Sequence, residues 1–198
     1  MLISTIGRLE EEKGLDTIVA MAELSLESQL GYEFAIAGTG SLAERLLAQA
    51  EALPNLTVTP NISSGDAQSL RAATSVGVFP TRVIPGFIET FCVAALEYQA
   101  LAVPVLAGAI GGVPEATPDS RCLVESNTPA AEWLARIEAV LANWPERSAT
   151  AGGFAAKFTS AVSARRLVDL AEVAADRPNR GEPLRPSQAD DYLARWQK

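Results

Sequence analysis

Histidine is absent from all 198 residues, and cysteine occurs only twice, at Cys92 and Cys122. The first absence removes Ser–His and Cys–His nucleophile systems and most zinc sites. Two cysteines are too few for a disulfide framework. Both lie in apolar surroundings, as expected of buried free thiols in a reducing cytoplasm. Also lacking is an apolar run long enough to cross a bilayer, and residues 1–14 have neither the basic start nor the apolar stretch of a signal peptide. Positive charge is scarce too. Sixteen Lys and Arg against 24 Asp and Glu leave a net charge of −8. That balance gives no electrostatic footprint for nucleic acid or for anionic lipid. A phosphate-bearing ligand must therefore be held by a few local cations and by backbone N–H groups.

What is present describes an ordinary soluble globule, 48% hydrophobic and 20% charged. The length accommodates one well-buried domain plus a tail. Apolar runs rich in β-branched residues alternate with runs of helical period. Strands are expected at residues 2–6, 32–37, 55–59, 76–79, 103–107 and 122–124. Helices are expected at 14–30, 41–53, 66–73 and 90–100, with Ser41 and Glu44 as a capping box and Asp66 as a cap. Beyond Pro129 the chain reads as helical over 130–143, 147–158 and 161–176. A Pro- and Gly-rich strap at 177–186 and a last short helix through Trp196 follow. Nearly all-apolar strands, each followed by a helix, indicate an α/β fold: a doubly wound parallel sheet covered on both faces. The expected division is a Rossmann-like domain at 1–160 and C-terminal helices and tail at 161–198. Ligands of such sheets sit outside the carboxyl ends of the strands.

Three segments fall at those ends. The first runs from Gly7 to Gly14 and places Arg8 and Lys13 beside a helix N-terminus, where backbone N–H groups and the dipole favour anions. Arg8 can grip phosphate oxygens bidentately and Lys13 can add a point charge. The competing reading is that both cations neutralise Glu10, Glu11 and Glu12 on a solvated loop. In the second, from Pro80 to Cys92, Glu89 precedes the expected helix and Glu97 lies roughly 12 Å further along its axis. The N–H groups of Thr90, Phe91 and Cys92 would lie between them. A carboxylate, an anion hole and a second carboxylate match a sugar–pyrophosphate–ribose ligand in order. Glu89 can also be read as a favourable charge at a helix end. Glu97, within the apolar run 91–101, is expected on a mostly covered helix, where a carboxylate calls for a partner. The third segment is Ala109–Glu115, whose paired glycines, Gly111 and Gly112, would let backbone approach a ligand closely.

As an ordered set these features resemble the C-terminal domain of family-4 retaining glycosyltransferases of the GT-B fold. The resemblance runs from Leu2 to about Leu141. It rests on Gly7-Arg8, Lys13-Gly14, Ala37-Gly38-Thr39-Gly40, the Glu89 and Glu97 pair, Pro104-Val105 and Gly111-Gly112-Val113-Pro114-Glu115. It implies that Arg8 and Lys13 bind the donor diphosphate in place of a metal and stabilise the leaving group, and that Glu89 contacts the transferred sugar. Glu97 would take the ribose hydroxyls, and Phe91 and Cys92 would offer N–H groups near the phosphates, with Gly7 and Thr90 in the same pocket. No cofactor and no metal are implied; the substrate would be a uridine- or guanosine-diphosphate sugar. Such enzymes carry an N-terminal acceptor domain. This chain opens directly on the first strand of the second, which implies an excised domain or a split enzyme with a separate partner subunit. The sequence departs from the usual pattern at Cys92, at Tyr98-Gln99 after Glu97, and at Ala102.

Two other readings compete. Gly38-Thr39-Gly40-Ser41-Leu42-Ala43 satisfies the G-x-G-x-x-A fingerprint of dinucleotide-binding oxidoreductases. It follows the second strand, not the first, and no acidic residue ends the next strand, so a tight turn without ligand accounts for it better. The other is a non-catalytic interaction subunit that keeps the fold.

Overall fold

The computed structural model describes residues 1–165 and Val168. It divides into two compact units, Met1–Lys157 and Phe158–Lys198. In the second, residues 160–165 are helical. The expected strap at 177–186 and the final helix with Tyr192 and Trp196 lie outside the described residues.

The first unit alternates strand and helix: β1 (Leu2–Arg8), α1 (Leu15–Glu27), β2 (Glu33–Thr39), α2 (Ala43–Ala50), β3 (Leu56–Pro60), α3 (Ser64–Ala73), β4 (Val76–Phe79), α4 (Val93–Gln99), β5 (Val105–Gly108), β6 (Leu123–Val124), α5 (Ala130–Ala142) and α6 (Trp144–Ala155). Six strands form one sheet in the order β3-β2-β1-β4-β5-β6, and every pairing is parallel. Central strands buried on both faces cannot alternate polar and apolar residues, which is why β4 and β5 read as continuous runs. All four residues of each are buried. The strand order reverses between β1 and β4, and at that point the loops leaving the carboxyl ends diverge and open a crevice.

The core has two parts. One combines Ile3, Phe34, Ile36, Val76 and Leu106 with Ile18 and Met21 of α1 and Trp133 and Ile137 of α5. The other joins Ile6, Phe79, Val105 and Ala107 to Ala95 and Tyr98 of α4. Tyr98, wholly buried, stands edge-on to Phe79 with ring centroids 5.4 Å apart. Its hydroxyl heads a polar chain. Thr74 gives its one hydroxyl proton to the Leu70 carbonyl at 2.7 Å. Ser4 must therefore donate to Thr74 and accept from Tyr98, each at 2.7 Å, because a hydroxyl has a single proton to give.

Several helix starts differ from the sequence expectation. Ser63, not Asp66, caps α3, its Oγ accepting from the Asp66 N–H. Ser41 does not cap α2, which begins after Leu42. Its N–H and hydroxyl instead donate to the Glu10 carboxylate at 3.0 and 2.6 Å, and these bonds hold that carboxyl below its usual range. Trp144 opens α6 three residues earlier than expected, with Pro145 in the first turn, where a missing N–H costs nothing.

Candidate functional site

The turn after β1 and the loop after β4 meet at the switch point. Gly7 and Arg8 end β1, Lys13 closes a single 3-10 turn (Glu11–Lys13), and Gly14 turns the chain into α1. The loop from Pro80 to Cys92 is pinned to this turn. The Arg82 N–H donates to the Glu12 carbonyl at 2.9 Å, and its guanidinium bonds Asp16 at 2.5 Å. Further on, Ile84 and Phe87 form a small antiparallel bridge. That turn places the Phe87 ring 6.0 Å from the Arg8 guanidinium carbon and 5.4 Å from the Lys13 ammonium. Both cations thus lie beside one aromatic ring.

Each cation also has a carboxylate. Arg8, with its side chain 57% exposed, bonds Glu12 at 2.5 Å. Lys13 donates to Glu89; these side chains are only 22% and 12% exposed. So Arg8 does neutralise one acid of its own turn, whereas Lys13 reaches the far loop. Below them lies a cavity of about 130 Å3, lined among others by Thr5, Gly7, Arg8, Lys13, Phe79 and Cys92. Gly7, Arg8, Lys13 and Cys92 line this cavity, and Glu89 joins them through Lys13.

Thr90, Phe91 and Glu97 are placed otherwise. The helix expected from Thr90 begins only at Val93, with Cys92 as its cap residue. Residues 90–92 are loop. The Phe91 carbonyl accepts from the Val93 N–H at 3.0 Å, and the Glu89 carbonyl accepts from the Gly112 N–H at 2.9 Å. Glu97 is not covered: its side chain is 48% exposed and bonds Arg71 at 2.6 Å. The reason is helical phase. Ala95, Tyr98 and Gln99 face inward on α4, and position 97 falls on the outer side. Its guanidinium partner, in turn, lies 5.9 Å from the Tyr98 ring.

The glycines of both motifs serve packing between loops. A side-chain carbon at Gly38 or Gly40 would come within 1.7 Å of the Gly7 carbonyl oxygen or 2.3 Å of that of Leu9. Gly38-Thr39-Gly40 is therefore the seat on which the β1 turn rests, and the dinucleotide reading loses its motif. A carbon at Gly111 or Gly112 would strike the carbonyl oxygen of Glu89 at 2.1 Å or that of Thr90 at 1.9 Å. The backbone they admit is that of the Glu89 loop. They position the site from behind.

Cys92 is buried, and burial raises its thiol to about 11. It fills the cavity wall where a smaller residue would leave space. Tyr98 and Gln99 are likewise structural, the Gln99 amide donating to the carbonyls of Ala95 and Ala116 at 3.0 and 2.8 Å. Reading the sequence missed Phe87 and Arg71. The first carried a weak signal as an aromatic in a glycine-containing loop; the second carried none.

A parallel, doubly wound sheet with a cationic turn at its switch point places the chain among Rossmann-like domains, and glycosyltransferase domains share this architecture. Residues 1–153 match the family model described as glycosyl transferases group 1, and the chain belongs to that family. It is 33% identical over 156 residues to a D-inositol 3-phosphate glycosyltransferase of Segniliparus rotundus, covering 74% of this chain and 33% of that protein. It is 32% identical over 123 residues to a glycogen synthase of Methylocella silvestris, covering 61% of this chain and 24% of that one. The chain thus spans a third or less of these curated relatives. Among solved structures, the catalytic domain of the cholesterol-α-glucosyltransferase of Helicobacter pylori shares the fold with a TM-score of 0.62 at 19% identity, over 79% of this chain and 97% of that one. Anabaena HepE, solved with UDP and glucose, gives 0.68 at 16% identity over 87% of this chain and 48% of that one. Among the described residues no helix is long and apolar enough to cross a membrane.

Proposed function

We propose that this domain binds the nucleoside-diphosphate-sugar donor and forms the donor-binding half of a family-4 retaining glycosyltransferase, whose acceptor would be held by a separate N-terminal domain or partner subunit. One observation carries the reading: Arg8, Lys13 and Glu89 meet at the switch point over a cavity that opens beside the end of β1. Two cations from one turn can hold a diphosphate, and as the sugar departs they oppose the negative charge that builds on the leaving group. Glu89 accepts hydrogen bonds from sugar hydroxyls on this reading, once Lys13 turns to phosphate. Glu97 stands on the exposed side of α4, where ribose hydroxyls can reach it. The family membership and the UDP complex of Anabaena HepE support a nucleotide-sugar donor.

Calorimetric titration with a panel of nucleoside diphosphates, nucleotide sugars and NAD tests this. A sugar nucleotide or its diphosphate is expected to bind in preference to NAD, and Arg8→Ala and Glu97→Ala are expected to weaken it at least about tenfold, an effect of about 1.4 kcal/mol. Unchanged binding in both variants would remove the site assignment. No donor binding by folded protein would favour the non-catalytic reading.

A further inference from the structure

Behind Glu97 stands a cation on another helix. Arg71 belongs to the last turn of α3, and its side chain is only 14% exposed although it is charged. Two contacts fix it. Nη2 donates to Glu97 Oε2 at 2.6 Å, and the guanidinium carbon lies 5.9 Å from the centre of the Tyr98 ring. Tyr98 gives a firm backing, because its ring packs against Phe79 and its hydroxyl is bonded to Ser4. α3 is seated as well: Ala67 is buried, and Leu70 packs on the same core as Tyr98.

The pair is asymmetric, a held arginine and a half-exposed glutamate. A glutamate on the outer side of a helix samples several rotamers, and a ligand that fixes it must offset that lost freedom. Arginine removes much of this cost beforehand, since its planar fork orients a carboxylate. It also cancels charge that Glu97 would otherwise present to an incoming diphosphate. The bond from Arg71 falls on Oε2, and a carboxylate has about four acceptor positions, so others remain for a ligand. Glu97 lies three residues beyond Ala94, which lines the cavity beside β1; residues so spaced are neighbours on a helix surface. A simpler role for Arg71 is to complement the dipole at the end of α3. That role makes no use of Glu97.

We propose that Arg71 is a positioning residue for donor recognition: it holds Glu97 ready to accept from both ribose hydroxyls, and so sets a preference for a ribonucleoside diphosphate over its 2′-deoxy counterpart. This rests on the donor reading of Glu97. A carboxylate held in one orientation meets two neighbouring hydroxyls at once, whereas a loose one gains from the second only by giving up rotamer freedom. Removing Arg71 therefore weakens the ribonucleotide and leaves the deoxynucleotide nearly as it was.

The test is calorimetric titration of the full chain with whichever of UDP and GDP binds more tightly, and with its 2′-deoxy form. The wild-type chain is expected to favour the ribonucleotide by at least about fivefold. Arg71→Met should bring that ratio within about twofold, as should Glu97→Ala, and the double variant should lose no more than either alone. Arg71→Lys keeps a cation in the last turn of α3 but not the planar fork. It should unfold at the wild-type temperature and still show a reduced ratio. An Arg71 that only supports the fold would weaken both nucleotides alike, and a wild-type ratio in Arg71→Met and Arg71→Lys, with the ratio lost in Glu97→Ala, would overturn this proposal alone. No discrimination by the wild-type chain would remove the ribose assignment of Glu97 and this proposal together.

Discussion

Lys13 and Glu89, 76 residues apart in sequence, form an ion pair that ties the turn after β1 to the loop after β4. Neither is well solvated. Removing one partner from such a pair leaves the other stranded. Lys13→Met is therefore expected to lower unfolding free energy in urea by about 1–3 kcal/mol, and Glu89→Gln, which keeps an acceptor for Lys13, by less. A loss below about 0.5 kcal/mol for Lys13→Met would mean that water screens the pair as it does at a surface.

Arg71 and Glu97 should behave differently. Their pairing is half-exposed on the glutamate side, so Glu97→Ala is expected to change stability by less than about 1 kcal/mol. On the proposed function the same substitution weakens donor binding strongly. Thermal unfolding and calorimetry on one variant separate the two effects, and a large stability loss with intact donor affinity would make Glu97 purely structural.

Cys92 gives a pH-dependent expectation. Burial raises its thiol from an ordinary value near 9 to about 11, so the folded chain holds that proton more tightly than the unfolded one. Its contribution to stability is full below about pH 9 and falls as pH rises toward about 11. Near neutral pH, iodoacetamide should leave Cys92 unmodified in the native protein and label it readily in urea, as read by mass spectrometry. Rapid native labelling would show that the cavity wall opens.

Tyr98 and Gly77 are fitted to each other. A side-chain carbon at Gly77 would lie 2.8 Å from the Tyr98 ring, so Gly77→Ala is expected to cost about 1–3 kcal/mol. Tyr98→Phe removes only the donor to Ser4 and should cost about 1–2 kcal/mol. In a Tyr98→Leu background the penalty of Gly77→Ala should shrink. Additive losses in chemical denaturation would separate the two residues.

The α/β fold was legible because strands buried on both faces, such as Val76–Phe79, announce themselves as short apolar runs between helical ones. The site's cations were legible because Gly7-Arg8 and Lys13-Gly14 bracket a strand end. Glu97 was misjudged from the apolar character of 91–101, although the phase of α4 held the answer: positions 95, 98 and 99 make one face, and 97 cannot share it. Helix starts at Ser41 and Thr90 failed because loops from elsewhere claimed those residues, Glu10 for the first and the paired glycines for the second.

In the turn after β1 each cation already has its own acid, and the Phe87 ring lies beside both. On the proposed function this filters what may enter. A lone small anion would have to break an ion pair for a single new bond. A sugar pyrophosphate compensates at both ends at once, meeting the cations with phosphate while its hydroxyls occupy the glutamate just set free. Selectivity for the long ligand then resides in what must be dislodged before anything binds.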